Sequence, residues 1–208
     1  MPPSRFAVNV KDFALHFFDG SVQGLDRMSP TGCAAMQSPQ LDKYARDARA
    51  WKDCAKINYT ASGLLFGSGN LFLYFTAATL GHHALEMYLK SALICEGMTV
   101  FNPVILNSLD PGISLKRSDC AWGHNLVKLA ERLAEKRSDF NLNGEMDIRE
   151  CPALLMPMTM RAGFALFDPF FSELRYPQEL KKLRGVCEDE KMVLDLLVAR
   201  LQPFLSTE

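Results

Sequence analysis

One stretch of helix-forming sequence carries two histidines, a glutamate and a lysine among apolar residues. Residues 77–90 read Ala-Ala-Thr-Leu-Gly-His-His-Ala-Leu-Glu-Met-Tyr-Leu-Lys. His82, Glu86 and Lys90 follow one another at intervals of four, so a helix places them in a single polar stripe, with His83 beside it. Such a stripe offers several hydrogen-bond donors and one carboxylate, a combination that suits an anionic ligand.

Two shorter segments downstream carry further polar groups that can join this stripe. Residues 122–126, Trp-Gly-His-Asn-Leu, open one predicted helix, and residues 174–177, Leu-Arg-Tyr-Pro, close another. If the helices of a bundle bring these positions together, the stripe faces a cleft that is lined from three sides. The predicted ligand-binding residues are His82, Glu86, Lys90, His124, Arg175 and Tyr176.

Each of these residues also has a simpler structural interpretation. Glu86 and Lys90 have the favoured order for an exposed helical ion pair, worth about 0.2–0.5 kcal/mol. His124 can bond to neighbouring backbone at a helix start, and Arg175 can bond carbonyls at a helix end or pair with Glu86. Tyr176, which precedes a proline, is typical of a rigid turn as well as of a surface on which a base stacks. The sequence assigns no residue a catalytic role.

Metal and cofactor chemistry are not indicated by the sequence. His82, His83, Glu86, Cys120 and His124 are possible metal ligands by type. Zinc sites, however, favour close pairs such as Cys-x-x-Cys, and di-iron bundles need repeated Glu-x-x-His; neither pattern occurs. No serine or cysteine lies in a context that marks a nucleophile. We therefore predict neither a metal nor a cofactor.

Size and charge fit a single globular domain. The 208 residues carry a net charge of −1, so no overall field draws the chain to nucleic acid or membrane. Lys181, Lys182 and Arg184 form a local basic cluster, typical of a solvated segment, with nucleic-acid contact as the alternative. The six cysteines are widely spaced, and neither a signal segment nor an unbroken membrane-length apolar stretch is present. These features predict a soluble, cytoplasmic protein without membrane association.

The pattern of apolar residues predicts an irregular N-terminal arm over residues 1–37 and an all-α domain over residues 38–208. The domain is expected to be an antiparallel bundle of about five helices, because apolar residues recur at intervals of three and four and no strand-length alternation appears. The predicted helices run from Pro39 to about Leu65, from an Asn70 cap to Cys95 or Glu96, from Gly123 to Lys136, from Pro152 with interruptions at Pro157 and Pro169, and from about Val186 to Phe204.

The order of these motifs resembles the HEPN domain, a helical module of nucleotidyltransferase-associated, toxin and phage-defence proteins. The resemblance covers roughly residues 40–205. It is carried by the long polar-faced first helix, by residues 84–90 (Ala-Leu-Glu-Met-Tyr-Leu-Lys) in the second, by residues 123–126 (Gly-His-Asn-Leu) at the start of the third, and by residues 175–177 (Arg-Tyr-Pro) before the last.

The resemblance implies a bundle that pairs as a symmetric dimer, with a cleft near the pairing surface and a link to nucleotides or RNA. HEPN members that cleave RNA carry Arg-x4–6-His near the last helices. Here that region holds Arg175 and Arg184, but no histidine follows His124. Arg117 and His124 have the spacing but lie outside the position where the family carries its motif. The resemblance therefore implies a member without the usual RNase chemistry.

The favoured interpretation is a HEPN-like domain that binds a nucleotide, RNA or a related anionic ligand, in a toxin-antitoxin or phage-defence setting. It would form a homodimer and have a nucleotidyltransferase or antitoxin as partner. The first alternative is a divergent ribonuclease or nucleotide-modifying enzyme that uses His124 or Arg175. The second is a non-catalytic dimeric interaction module whose polar stripe only stabilises the dimer.

Overall fold

A computed structural model describes residues 47–109, 116, 119–146, 158–170 and 189–205 of the chain. These residues form an all-α bundle with one very small sheet, which confirms the predicted fold class. The α-helices are α1 (Ala48–Gly67), α2 (Leu71–Cys95), α3 (Pro103–Leu109), α4 (Leu126–Lys136), α5 (Met160–Phe167) and α6 (Asp189–Leu201). Strands β1 (Glu145–Met146) and β2 (Met158–Thr159) pair antiparallel, and a 3-10 turn, Gln202–Phe204, follows α6.

Helices α1 and α2 form an antiparallel hairpin whose ends are set by local sequence. The side chain of Asp47 accepts a hydrogen bond from the backbone of Ala50 and caps α1. Gly69 has φ +66°, and the Asn70 side chain then caps α2, as predicted. The predicted start of the first helix at Pro39 lies outside the described residues, within which α1 begins at Ala48 behind the Asp47 cap.

Helix α2 is the centre of the bundle. Residues all around it are buried, among them Leu85, Leu89 and Leu93, as expected for a helix that is packed on every side. Helices α1, α4, α5 and α6 contact it. At Gly81 a Cβ atom would lie only 3.1 Å from the side chains of Leu194 and Phe167, so glycine allows α5 and α6 to approach closely. The polar stripe of α2 is therefore placed inside the bundle.

The last helix agrees well with the sequence pattern. Val193, Leu194, Leu197, Val198 and Leu201 are all buried, as the apolar spacing predicts. Asp189 and Glu190 lie in its first turn, where acidic side chains favour the helix dipole.

Elsewhere the structure differs from the prediction. Helix α4 begins at Leu126, because Asn125 caps it and Gly123 has φ +109°. The segment between α2 and α4 contains a helix that the sequence does not predict, α3. Strands β1 and β2 are too short to leave an alternating pattern in the sequence. The interruption near Pro169 is confirmed, since α5 ends at Phe167. Cys54 and Cys95 lie on the apolar-patterned helices α1 and α2 but are exposed.

Some predictions fall on residues that the structure does not describe. The described residues all belong to a compact unit that starts at Asp42, so the arm predicted for residues 1–37 is outside them. Pro152, Pro157, Arg175, Tyr176 and the basic cluster after Pro177 are also outside them. Among the described helices, none is long and apolar enough to cross a membrane.

Candidate functional site

A buried carboxylate, Glu86, lies at the centre of the candidate site. Only 5% of Glu86 is exposed, on the inner part of α2. Three side chains lie against its oxygens: His82, Lys90 and His124. These three residues and Glu86 are here called the Glu86 cluster. They are four of the six residues whose side chains the sequence predicts to meet.

Lys90 lies one helical turn after Glu86 and donates to it directly. Its Nζ atom is 2.6 Å from Glu86 Oε1, and Lys90 is also only 5% exposed. The ammonium group lies 5.2 Å from the ring centre of Trp51 on α1, close enough for a cation–π contact. The interpretation of Glu86–Lys90 as an exposed ion pair is therefore wrong. A buried pair of this kind is costly to break, because either partner alone would be a buried, uncompensated charge.

His82 lies one turn before Glu86 and is completely buried. Its Nδ1 atom is 2.9 Å from the carbonyl oxygen of Phe167 at the end of α5. A carbonyl only accepts hydrogen bonds, so Nδ1 carries the proton. The other ring nitrogen, Nε2, is 3.6 Å from Glu86 Oε2. His82 thus connects the end of α5 to the carboxylate.

His124 is the member of the cluster that solvent reaches. Its Nδ1 atom lies 3.1 Å from both oxygens of Glu86, and half of its side chain, 50%, is exposed. Because a carboxylate accepts, Nδ1 donates to it, which orients the ring and leaves Nε2 on the opposite edge. His124 thus contacts a side chain of α2, a contact that the expectation of a bond to neighbouring backbone at a helix start does not include.

The backbone before α4 is tied to the end of α2, which explains how His124 reaches Glu86. The amide of Thr99 donates to the carbonyl of Asp119 at 3.0 Å, and the amide of Ala121 donates to that of Thr99 at 2.6 Å. Gly123 then turns the chain with a positive φ that glycine adopts without strain. The loop therefore lies across the end of α2 and directs His124 back to it.

The charges around Glu86 favour its ionised form. Burial alone raises the pKa of Glu86, but hydrogen bonds and charges from His82, Lys90 and His124 more than offset it and lower the pKa from 4.5 to about 2. Glu86 and Lys90 then cancel each other's charge. Protonation of either histidine gives the Glu86 cluster a net positive charge.

Asp168 completes the surroundings of the site, and the sequence analysis missed it. One of its carboxylate oxygens accepts from the amide of Leu126 at 2.6 Å, and the other accepts from Asn125 Nδ2 at 3.0 Å. Asp168 directly follows Phe167, whose carbonyl accepts from His82. The contacts form a closed ring that runs from Glu86 through His124, the start of α4, Asp168, Phe167 and His82.

We expect Asp168→Ala to loosen the start of α4 and therefore to make the imidazole of His124 less firmly oriented. Loss of a capping carboxylate typically costs about 0.5–2 kcal/mol of stability. The ring nitrogen resonances of His124, measured by NMR, should shift because Nδ1 no longer keeps one fixed contact with Glu86. The control is Asp139→Ala, since Asp139 is an exposed residue that pairs with Arg137 outside the cluster. Unchanged His124 resonances in Asp168→Ala would contradict the positioning role.

The structure places the remaining candidates as follows. His83 lies next to His82, with their rings edge to face at 5.7 Å between centres. Arg175 and Tyr176 lie outside the described residues, and so does Arg117. Within the described part of the chain, no three His, Cys, Asp or Glu side chains are grouped to hold a metal ion. A surface cleft of about 630 Å³ lined by Phe140, Met160 and Phe204 shares no residue with the Glu86 cluster.

Comparisons with known proteins add no family assignment. No protein-family model, no curated protein and no solved structure matches this chain significantly.

Proposed function

We propose that this chain is a HEPN-like domain that binds a nucleotide, RNA or a related phosphate-bearing anion at the Glu86 cluster, without the usual RNase chemistry. The observation that carries the proposal is the geometry of His124. Its ring is half-exposed, while Nδ1 is held by both oxygens of a buried carboxylate. A fixed imidazole can donate from Nε2 to a phosphate oxygen when it is protonated.

The charge of the cluster supports an anionic rather than a cationic ligand. The carboxylate of Glu86 is paired with Lys90 and bonded to His124, and Glu86 is only 5% exposed. A ligand that approaches His124 therefore meets a neutral or positive imidazole, and the Glu86 carboxylate behind it is already paired with Lys90. In the proposal Arg175 and Tyr176 supply further contacts, a guanidinium for phosphate and a ring for a base.

Loss of His124 is the direct test. We expect His124→Gln to weaken binding of a fluorescent RNA oligonucleotide or of a labelled mononucleotide by about tenfold or more, the effect of one charge-assisted hydrogen bond. Fluorescence anisotropy at fixed salt measures the affinity for each ligand. The ligand that binds shows whether the chain recognises RNA or a mononucleotide.

Lys136→Gln provides the matched control for this test. Lys136 is an exposed cation at the opposite end of α4, roughly 15 Å from its start. It should change binding less than twofold, because it removes a charge of the same sign far from the cluster. Absence of binding to either ligand, or equal affinity in wild type and His124→Gln, would reject the proposal.

A second candidate, a divergent ribonuclease or nucleotide-modifying enzyme, is favoured by one specific feature. A half-exposed histidine that donates from Nδ1 to a carboxylate has the arrangement of a proton-transfer group. In this candidate His124 would transfer the proton and Arg175 would stabilise phosphate charge. An RNA degradation assay that compares wild type with His124→Ala and Arg175→Ala decides it, because the candidate requires cleavage that both variants lose.

The proposal extends to partners and setting on the strength of the resemblance alone. It includes a homodimer, a cytoplasmic location and a nucleotidyltransferase or antitoxin encoded nearby. A dimeric interaction module without ligand remains the third candidate, and the exposed apolar face of α1 is the feature that favours it.

A further inference from the structure

The outward face of α1 carries a regular apolar stripe that the bundle leaves uncovered. The inward face of this helix packs through Ala55, Ser62 and Phe66, which are buried. The outward residues are spaced alternately by four and three, and we call them the outer stripe: Ala50, Cys54, Ile57, Ala61 and Leu64. Ile57 is 52% exposed and Leu64 is 72% exposed. Large apolar side chains in such a regular row indicate a surface that another helix covers.

The spacing of the outer stripe identifies the kind of partner. Alternating intervals of three and four give the 3.5-residue repeat with which two helices pack side by side. From Cys54 to Leu64 the stripe also alternates in size, because the large Ile57 and Leu64 occupy one set of positions and the small Cys54 and Ala61 occupy the other. We propose that a second copy of this chain packs on the outer stripe through its own α1, in the antiparallel direction.

Antiparallel pairing matches a large side chain to a small one in the layers that contain Ile57 and Leu64. Ile57 packs on the partner's Ala61, Leu64 on the partner's Cys54, and Ala50 on the partner's Ser68. The two-fold axis repeats each contact, as an isologous interface requires. Parallel pairing would instead put Ile57 on its own copy and Ala61 on its own copy, leaving crowded layers next to hollow ones.

Charge and area are compatible with this partner. Asp53 is the charged residue that flanks the outer stripe on the side of Thr60, and this pairing separates the two Asp53 carboxylates by ~18 Å along the helices, beyond the Debye length of ~8 Å. Helix α1 has 20 residues and is ~30 Å long. Two such helices bury on the order of 1,000 Å² in total, at the low end for specific interfaces. We therefore expect a reversible dimer with a micromolar Kd.

Sedimentation equilibrium of the full chain between about 1 and 200 μM tests the proposed face. Wild type should pass from monomer to dimer as the concentration rises. Leu64→Glu should raise the dimer Kd by at least tenfold, because it places a carboxylate against the partner's Cys54 and the two-fold axis repeats that contact. Lys56→Glu is the matched control, since Lys56 is exposed on α1 but outside the outer stripe. Circular dichroism checks that Leu64→Glu keeps the helix content of wild type.

A cross-link tests the register independently of any disruptive substitution. Leu64→Cys should form an intermolecular disulfide with the partner's native Cys54 under mild oxidation, giving covalent dimer above the wild-type background. Within one helix positions 54 and 64 are ~15 Å apart, too far for a disulfide inside a single chain. The double variant Leu64→Cys/Cys54→Ser should lose this dimer, whereas a parallel pair would keep it through two cysteines at position 64.

Each outcome decides the inference. A chain that stays monomeric across the concentration range overturns it, and so does coverage of the stripe by residues that precede Asp47 of the same chain. A dimer that survives Leu64→Glu shows that another face pairs. The inference depends on the homodimer of the proposed function but not on its ligand, because the anisotropy of labelled RNA or nucleotide is measured separately from mass.

Discussion

Glu86→Ala is expected to lower the free energy of unfolding by about 3–5 kcal/mol, the typical effect of removing one partner from a buried ion pair. The ammonium of Lys90 would remain nearly fully buried. It would keep its contact with Trp51 but would lose the carboxylate that accepts its hydrogen bond. His124 would lose the acceptor of its Nδ1 atom as well. Urea denaturation followed by far-UV circular dichroism measures the change, with equal m-values as the sign that both proteins unfold in the same way.

The matched control for this loss is Glu131→Ala on α4. Glu131 pairs with Arg161, but both side chains are more than 40% exposed. Its removal should therefore cost less than about 1 kcal/mol, as for surface pairs in general. The double variant Glu86→Leu/Lys90→Met should recover much of the stability lost in Glu86→Ala, because it removes both buried charges together. A cost for Glu86→Ala as small as that for Glu131→Ala would contradict a buried, mutually dependent pair.

The helices that the sequence predicts best are those whose ends have strong local causes. Helix α2 starts behind Asn70 and ends at Cys95 as predicted, because a side-chain cap at its start and the positive φ of Gly97 after its end act within one or two residues. The start of α1 was predicted at Pro39, although Asp47 caps it. Both segments, residues 38–39 and residue 47, carry acceptable helix-start residues, and local preference alone does not choose between them.

The candidate site shows a similar division between local and tertiary information. The alignment of His82, Glu86 and Lys90 follows from helical spacing, so the sequence contains it. Their burial does not follow, because the same Glu-x-x-x-Lys order is typical of an exposed helix face. Only the packing of α1, α4, α5 and α6 around α2 decides which interpretation holds.

Asp168 was missed for a related reason. Asp168 follows α5 directly and belongs to no recognisable motif. It nevertheless caps α4 by accepting from the amide of Leu126, which lies 42 residues earlier in the sequence. A helix end can be capped by any nearby carboxylate, and the sequence does not state which one the fold brings close. Long-range caps and contacts of this kind are visible only in the structure.

The stability of the protein is also expected to depend on pH through Glu86. In the folded chain the pKa of Glu86 is about 2, whereas its ordinary value is 4.5. Since the folded-state pKa is the lower one, the unfolded chain binds a proton first as pH falls. The stabilisation from Glu86 is therefore complete above about pH 4.5 and is lost as pH falls toward 2. Its size follows from the difference in pKa and is about 3 kcal/mol.

The difference in unfolding free energy between wild type and Glu86→Gln isolates this contribution from that of the other carboxylates. Urea denaturation at pH 7, 4.5, 3 and 2 should give a constant difference down to about pH 4.5 and a decreasing one below it. Glu131→Gln, which changes an exposed glutamate in the same way, should show a much smaller dependence because solvent screens its pair with Arg161. A difference for Glu86→Gln that stays constant from pH 7 to pH 2 would mean that the Glu86 carboxylate has no special stabilisation in the folded chain, and the electrostatic basis of the cluster would be lost with it.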